Sequence, residues 1–287
     1  MKTLHTDAMQ TLVRAALQED IGVRGDVTTL ALVEKNQMGS ARLVTRERCR
    51  VSGVAVAEEV FRQLDPDIKI VEHIHDGEDA EADDVVLSLE GQARAILTGE
   101  RTALNFMQRM CGIATLTATY VGRVQPHAVR VLDTRKTTPL LRHLEKYAVV
   151  CGGGTNHRTG LYDRVMIKDN HAAFWQSKGG GDLAAAVKRA RACYPDMTLE
   201  VEIDRVDQLE PVLEAGPDWI LLDNMTPDDV RMCVQQCRGR AKLEVSGGIT
   251  LDTIAAYADC GVDAISVGAL THAARAVDLA LDWETQP

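Results

Sequence analysis

No apolar run in this 287-residue chain approaches the roughly 20 residues needed to span a bilayer. Its first ten residues, MKTLHTDAMQ, lack the apolar core of a secretory signal, so the expectation is a cytoplasmic protein that does not associate with membranes. Cysteine is too sparse for a disulfide framework: the seven cysteines are odd in number, scattered and without a C-x-x-C pair. Cys233 and Cys237 are spaced for one helix face and read as reduced thiols, which suits a reducing compartment. Basic residues are in deficit, 32 against 42 acidic, for a net charge of −10. Such a balance disfavours a broad nucleic-acid or membrane surface, since both of those are themselves negative, but it permits a local positive pocket. Aromatics are few, at 4%, within an otherwise ordinary globular composition. No glycine fingerprint of a dinucleotide fold is present.

At this length the chain folds as one or two domains. Met9, Leu12, Val13, Ala16 and Leu17 form a helical stripe, followed by the loop EDIGVRGDVTT. SARLVT, DIKIVEHI, DVVLSLE and QARAIL read as strands, with a helix near 56–64 and a hairpin turn at Glu90–Gly91 between the last two. Strands grouped in this way predict an α+β layer. A helix is predicted to start at Thr98, break at Gly112 and resume as a second helix.

Beyond residue 128 apolar runs alternate with helical stretches: VRVLDT, RVMIKDN, LEVEID, WILLDN, LEVSGG and AISVGA. Leu199, Ile220, Leu243 and Ala264 are spaced 21, 23 and 21 residues apart, a repeating βα period. Thr226-Pro227-Asp228-Asp229 is a capped helix start with proline at the first turn. Near-continuous apolar strands separated by helices imply a parallel sheet covered on both faces, and without a dinucleotide fingerprint a barrel is favoured over an open sheet.

In a βα barrel the reactive groups sit after the C-terminal ends of the strands. Here those ends read Asp133-Thr134-Arg135-Lys136, Lys168-Asp169-Asn170-His171, Glu202, Asp223-Asn224, Ser246-Gly247-Gly248 and Gly268. The glycine-rich loop CGGGTNHR adds His157 and Arg158. Cations, two carboxylates and glycine loops able to offer backbone N–H groups point to a small, multiply anionic substrate bearing phosphate, with Mg²⁺ beside Glu202 and Asp223. Blander readings compete: Arg135 and Lys136 as solvated surface, SGGI as a plain turn, Glu202 pairing with Arg205, and Lys168 snorkelling at a strand end. His73 and His75 lack a third ligand and read as surface histidines.

The segments EDIGVRGDVTT, GERTALNFMQRMCGIAT, LDTRKTTP, CGGGTNHRTGLYDRVMIKDNH, LEVEID, LLDNM, EVSGGI and DAISVGALTH follow one another in an order that resembles the quinolinate phosphoribosyltransferase family across nearly the whole chain. The resemblance implies phosphoribosyl transfer from phosphoribosyl pyrophosphate to quinolinate, with decarboxylation to nicotinate mononucleotide and Mg²⁺ as cofactor. It implies an α/β plus α+β chain: an N-terminal open sandwich over 1–111, an incomplete TIM-like βα barrel over 112–270, and a C-terminal helix over 271–287 that packs back toward the first domain. By motif position it assigns Arg101, Thr134, Arg135, Lys136, His157, Arg158 and Lys168 to substrate binding. It assigns Lys136, Lys168, Glu202, Asp223, Ser246, Gly247, Gly248, Val267, Gly268 and Ala269 to the phosphoribosyl side. Lys136, Lys168, Glu202 and Asp223 take the catalytic roles, and Glu202 and Asp223 hold Mg²⁺ directly or through water. Glu202 is preferred to Glu200, which is expected to face the other side of its strand. A homodimer with shared active sites, or a higher oligomer, is also implied. The chain departs from the family's usual pattern with Cys111 in place of serine and Leu140 in place of glycine. Rival readings are a molybdenum-associated paralogue or nicotinate-type transferase, a class I aldolase-like barrel using Lys168, and a non-catalytic phosphometabolite sensor.

Overall fold

The computed structural model describes residues 6–284, which divide into two compact units. The first comprises residues to Ala118 together with Thr137–Gly153 and the chain from Leu270. Its strands are β1 (Met38–Thr45), β2 (Cys49–Arg50), β3 (Lys69–Glu72), β4 (Asp79–Ala80), β5 (Val85–Gln92) and, from the far end of the chain, β12 (Leu279–Trp283). An antiparallel sheet runs β12-β1-β5-β3. Leu43 faces Leu87 on one side and Leu281 on the other, and Ala41 faces Leu89, so one face of β1 and β5 is apolar. Phe61 from helix Val54–Leu64 and Ile96, Leu104 and Met107 from helix Ala93–Arg123 are fully buried in this unit. Each such side chain contributes about 1.5–3 kcal/mol by burial.

Three expectations are corrected here. The hairpin at Glu90–Gly91 does not form. β5 runs straight through both residues, because Gly91 leaves room for Ile68 and Asp65 against the strand, and the alanine-rich stretch after Gln92 enters a helix directly. That helix is one element of 31 residues rather than two. Gly112 costs it about 1 kcal/mol against alanine, yet any side chain there would collide with the Arg275 carbonyl, so the position serves close backbone approach instead of helix termination. The C-terminal segment is not a helix: after a short turn of helix at Ala269–His272 it becomes β12, pairing antiparallel with β1 from Ala41↔Trp283 to Thr45↔Leu279. Val277, Leu279, Leu281 and Trp283 alternate at every second position, the period of a strand rather than of a helix face, and β1 supplies the partner. Residues 285–287 of that expected helix lie outside the described residues.

The segment 137–153, expected within the barrel range, also belongs to the first unit. Its helix Arg142–Cys151 is fixed there by Glu145, which accepts from Arg109 Nη2 at 2.9 Å, and by Tyr147, whose hydroxyl donates to Asp76 at 2.8 Å. Leu140 just before it has φ of 68°, the left-handed region in which glycine is at ease.

The second unit carries six parallel strands, β6 (Arg130–Leu132), β7 (Val165–Ile167), β8 (Leu199–Ile203), β9 (Trp219–Asp223), β10 (Lys242–Ser246) and β11 (Ala264–Ser266). Their spatial order β6-β11-β10-β9-β8-β7 is the chain order read around a ring, with an open seam between β6 and β7. Thr155 extends the β6 side of that seam, donating its N–H to Val131 O at 2.8 Å and accepting from Asp133 N at 3.2 Å. The architecture is an incomplete βα barrel, as expected. Helix Pro227–Cys237 starts at the predicted cap, with Asp229 N donating to Thr226 Oγ1 at 3.2 Å. Val201, Ile203, Ile220, Leu222, Val245 and Ile265 are buried on one side of the strands. The alternate positions, Glu200, Glu202, Leu221, Asp223, Glu244, Ser246 and Ser266, share the other face.

Candidate active site

Parallel register stacks the polar face of the barrel in two layers. The upper one lies at the strand ends. Lys168, immediately after β7, donates from Nζ to Glu202 Oε2 at 2.6 Å. Asp223 ends β9 two residues beyond the partner of Glu202, so both carboxylates share a face. Burial, and then the charge of Glu202, hold the Asp223 carboxyl above its ordinary range, with Lys168 opposing them. Asn224 donates to Asp223 Oδ2 at 2.6 Å. Ser246 is the register partner of Asp223, and Gly247 follows it with φ of 97°. A side chain at Gly247 would collide with Asn224, so only glycine fits this turn beside the carboxylates. The helix after this loop begins only at Ile254 and has five residues. The loop's own backbone, rather than a helix end, therefore forms this rim. Val267 is buried and donates to Leu132 O at 2.9 Å, which sets Gly268 and Ala269 beside the end of β6.

The cationic loops come next. Asp133, fully buried at the end of β6, accepts from His157 N at 2.8 Å and from Asn156 Nδ2 at 2.6 Å. One carboxylate thus ties the loop carrying Arg158 to the strand that delivers Thr134, Arg135 and Lys136. Thr134 Oγ1 accepts from Lys136 N at 3.0 Å, shaping that turn. Arg135 Nε is buried without a hydrogen-bond partner, a costly arrangement that a bound anion relieves. Burial, and then the charge of Arg135, push the Arg158 guanidinium below its ordinary value, so these two cations lie within electrostatic reach of each other.

The lower layer was not legible as a site in the sequence. His157 Nε2 lies 3.1 Å from Glu200 Oε2 and 3.4 Å from Glu244 Oε2. Arg164 Nη1 donates to Glu200 at 3.1 Å, and the Ser266 hydroxyl donates to Glu244. Burial pushes the His157 imidazole down, but the two carboxylates outweigh it and hold it up to about 9. Against them, the Arg158 backbone N–H lies 2.7 Å from Nδ1 and needs a lone pair there. Burial and the neighbouring Glu200 charge hold Glu244 above its ordinary range, whereas His157 and Arg164 keep Glu200 below its own despite burial. The expectation that Glu200 faces away from Glu202 is thus corrected, since residues two apart on a strand share a face. The signal was present: Glu200 lies two residues before Glu202, and Glu244 two before Ser246.

Arg101 is the outlier. It belongs to the other unit, is exposed on helix Ala93–Arg123, and lies 3.8 Å from the Glu100 carboxylate. His73 and His75 bind Ser88 and Glu72, respectively, as surface histidines do.

Comparison with known proteins decides the family. The family model for the quinolinate phosphoribosyl transferase C-terminal domain matches residues 113–282, and that for the N-terminal domain matches 26–111. This chain belongs to the quinolinate phosphoribosyltransferase family. A probable nicotinate-nucleotide pyrophosphorylase (carboxylating) of Bacillus subtilis is 42% identical over 265 residues, covering 92% of this chain and 89% of that protein. The nicotinate-nucleotide pyrophosphorylase (carboxylating) of Mycobacterium leprae is 40% identical over 283 residues, with 96% and 97% covered. The solved nicotinate-nucleotide pyrophosphorylase of Francisella tularensis superposes with a TM-score of 0.92 at 39% identity, covering 98% of each chain. Membership in this family makes the chain a transferase of pyridine-nucleotide biosynthesis, and the aldolase-like and sensor readings gain nothing from these relatives. Among the described residues no helix is long and apolar enough to cross a membrane.

Proposed function

We infer that this chain transfers the phosphoribosyl group of phosphoribosyl pyrophosphate to quinolinate, giving nicotinate mononucleotide, pyrophosphate and CO2. The observation that carries the reading is the buried, unpartnered Nε of Arg135 close to the charge of Arg158, in a chain of net charge −10. Two cations within electrostatic reach of each other, on loops tied by Asp133, suit an acceptor with two adjacent carboxylates, and the planar guanidinium is the group that grips a carboxylate through two parallel bonds. Thr134, Arg135 and Arg158 form this acceptor side, with His157 bracing Arg158 from behind. Lys136, Lys168, Glu202, Asp223, the Ser246–Gly248 loop and the Val267–Ala269 turn form the phosphoribosyl side.

The chemistry is positional and electrostatic. As the bond from the anomeric carbon to pyrophosphate breaks, pyrophosphate leaves with the electron pair and the ribose centre becomes oxocarbenium-like. Glu202 and Asp223 offer negative charge to that centre, while Lys168 and Lys136 offer positive charge to the leaving group. The quinolinate ring nitrogen supplies the electrons of the new C–N bond. The quaternised ring then accepts the pair released when the 2-carboxylate departs as CO2, and a proton fills the vacated carbon. Mg²⁺ fits the donor set. Glu202 and Asp223 are two carboxylates whose mutual repulsion a divalent cation relieves, and bound there it would neutralise pyrophosphate charge.

Arg101, exposed in the other unit, supports a homodimer, alone or within a larger assembly, in which each protomer lends this arginine to its partner's site. Seven free cysteines fit a cytoplasmic setting. The test is incubation with Mg²⁺, quinolinate and phosphoribosyl pyrophosphate, each omitted in turn. Nicotinate mononucleotide in the complete mixture alone supports the reading. Turnover of nicotinate with a kcat/KM comparable to that of quinolinate would point instead to a nicotinate-type transferase.

A further inference from the structure

We infer that Glu200 and Glu244, buried beneath the strand-end layer, are positioning residues for the dicarboxylate acceptor: they fix the His157 ring, which fixes Arg158. The inference rests on the functional reading above. Both carboxylates are fully buried, on β8 and β10, and point to the inner face of the barrel. Two acids in a strand interior are costly unless they are paired, and their shared partner is one imidazole nitrogen. The other nitrogen of that ring accepts the Arg158 backbone N–H at 2.7 Å. The Arg158 contact needs a lone pair on Nδ1, so the geometry sets the proton on Nε2 even though the carboxylate charges favour the doubly protonated ring. Nε2 faces Glu200 Oε2 at 3.1 Å, with Glu244 Oε2 in ion-pair reach at 3.4 Å, and the two acids thereby set the tautomer and tilt of the ring. Asp133 holds the same loop from β6 through His157 N. Three strands, β6, β8 and β10, therefore converge on His157, the residue that precedes and braces the second arginine of the acceptor site.

The pair has an electrostatic role too. Arg135 depresses the Arg158 guanidinium, while Glu200 is among the charges that support it. Before any substrate arrives, the buried Glu200 charge offsets two cations that lie within electrostatic reach of each other. His157, Glu200 and Glu244 also have the spacing of a metal cluster. A cation already sits there: Arg164 Nη1 is 3.1 Å from the same Glu200 oxygen that faces His157 and 3.3 Å from His157 Nε2. A bound metal would have to displace it. The arrangement is a fixed bracket built from protein groups alone.

The test compares wild type with Glu200→Gln, Glu244→Gln and His157→Asn in steady-state kinetics, varying quinolinate and phosphoribosyl pyrophosphate separately. Wild-type turnover of the two substrates establishes the functional reading independently of the variants. Glutamine keeps the shape of each acid and removes its charge. Asparagine at 157 retains an acceptor near the Nδ1 position but loses the reach to both glutamates. Each substitution is expected to raise the KM for quinolinate by about tenfold or more, the usual scale for groups that orient a binding residue. The KM for phosphoribosyl pyrophosphate should move less than about threefold, and kcat should fall less than the quinolinate KM rises. Should a glutamine variant fail to fold, Glu200→Asp and Glu244→Asp, which keep the charge and shift it by one methylene, replace it and should show the same split to a smaller degree. The proposal is overturned if folded variants keep the wild-type KM for quinolinate, or if both KM values rise alike while kcat falls, as a loosened barrel would give.

Discussion

Replacing Glu202 with glutamine keeps the shape of the side chain and deletes one charge from the upper layer. Lys168 Nζ lies 2.6 Å from Glu202 Oε2. At an effective dielectric near 20 that contact is worth about 6 kcal/mol before desolvation. The Lys168 side chain is 43% exposed, so screening and hydration reduce the net value to about 1–2 kcal/mol. Stability should therefore change little. Function should change more, for three reasons. Lys168 loses the group that aims it, Asp223 loses the neighbouring charge that helps hold its carboxyl up, and the divalent-cation donor set falls from two carboxylates to one. Together these should lower kcat/KM for phosphoribosyl pyrophosphate by about a hundredfold, or roughly 2.7 kcal/mol of transition-state stabilisation. The Mg²⁺ concentration at half-maximal rate should rise by about tenfold. Quinolinate affinity, read by calorimetry, should shift less than about threefold, because its cations sit on other loops. Unchanged turnover with unchanged Mg²⁺ dependence would refute the assignment of Glu202, and a loss confined to quinolinate affinity would move it to the acceptor side.

Three further outcomes are expected. Arg135→Ala and Arg158→Ala should each weaken quinolinate binding by about 2–4 kcal/mol, the cost of breaking a desolvated charged hydrogen bond, and calorimetry on the folded variants would show it. Glu47 is held down to about 2, from an ordinary 4.5, by hydrogen bonds from Arg275 and from Asp278 N. Its folded-state pKa is depressed, so its stabilisation is present above about pH 4.5 and is lost as pH falls toward 2. The Tm difference between wild type and Glu47→Gln should accordingly be constant at neutral pH and vanish near pH 2, and a constant difference throughout would exclude ionisation as its source. Arg101→Ala and Lys168→Ala, each nearly inactive alone, should recover roughly a quarter of wild-type activity when unfolded and refolded together, since about half of randomly reassorted dimers carry one undamaged site. With subunit exchange verified by tag pull-down, no recovery would place Arg101 outside any shared site.

The strand-end groups were legible because the βα period places Lys168, Glu202, Asp223 and Ser246 at equivalent heights, and a barrel presents those ends together. The family resemblance supplied their roles. Glu200 and Glu244 were passed over, although each lies two residues before a strand-end group and so shares its face, because a glutamate in a strand ordinarily reads as surface. Arg164 was missed, and Asp133 was placed at its strand end without its role, because their meaning lies in partners on other loops and strands. β12 was misread although Leu279, Leu281 and Trp283 alternate with the period of a strand; its partner, β1, lies at the other end of the chain, so no neighbouring strand marked it. Gly112 looked like a helix breaker, and only the Arg275 backbone lying against it explains why glycine is needed inside a continuous helix.

Phosphoribosyl transfer coupled to decarboxylation is followed most directly with quinolinate labelled with carbon-13 in the 2-carboxylate, with phosphoribosyl pyrophosphate and Mg²⁺, measuring nucleotide and gas together. One labelled CO2 is expected for each nicotinate mononucleotide formed, and neither product when phosphoribosyl pyrophosphate is omitted. A nucleotide that retains the label, labelled CO2 released without phosphoribosyl pyrophosphate, or no turnover from a folded protein would contradict that coupling.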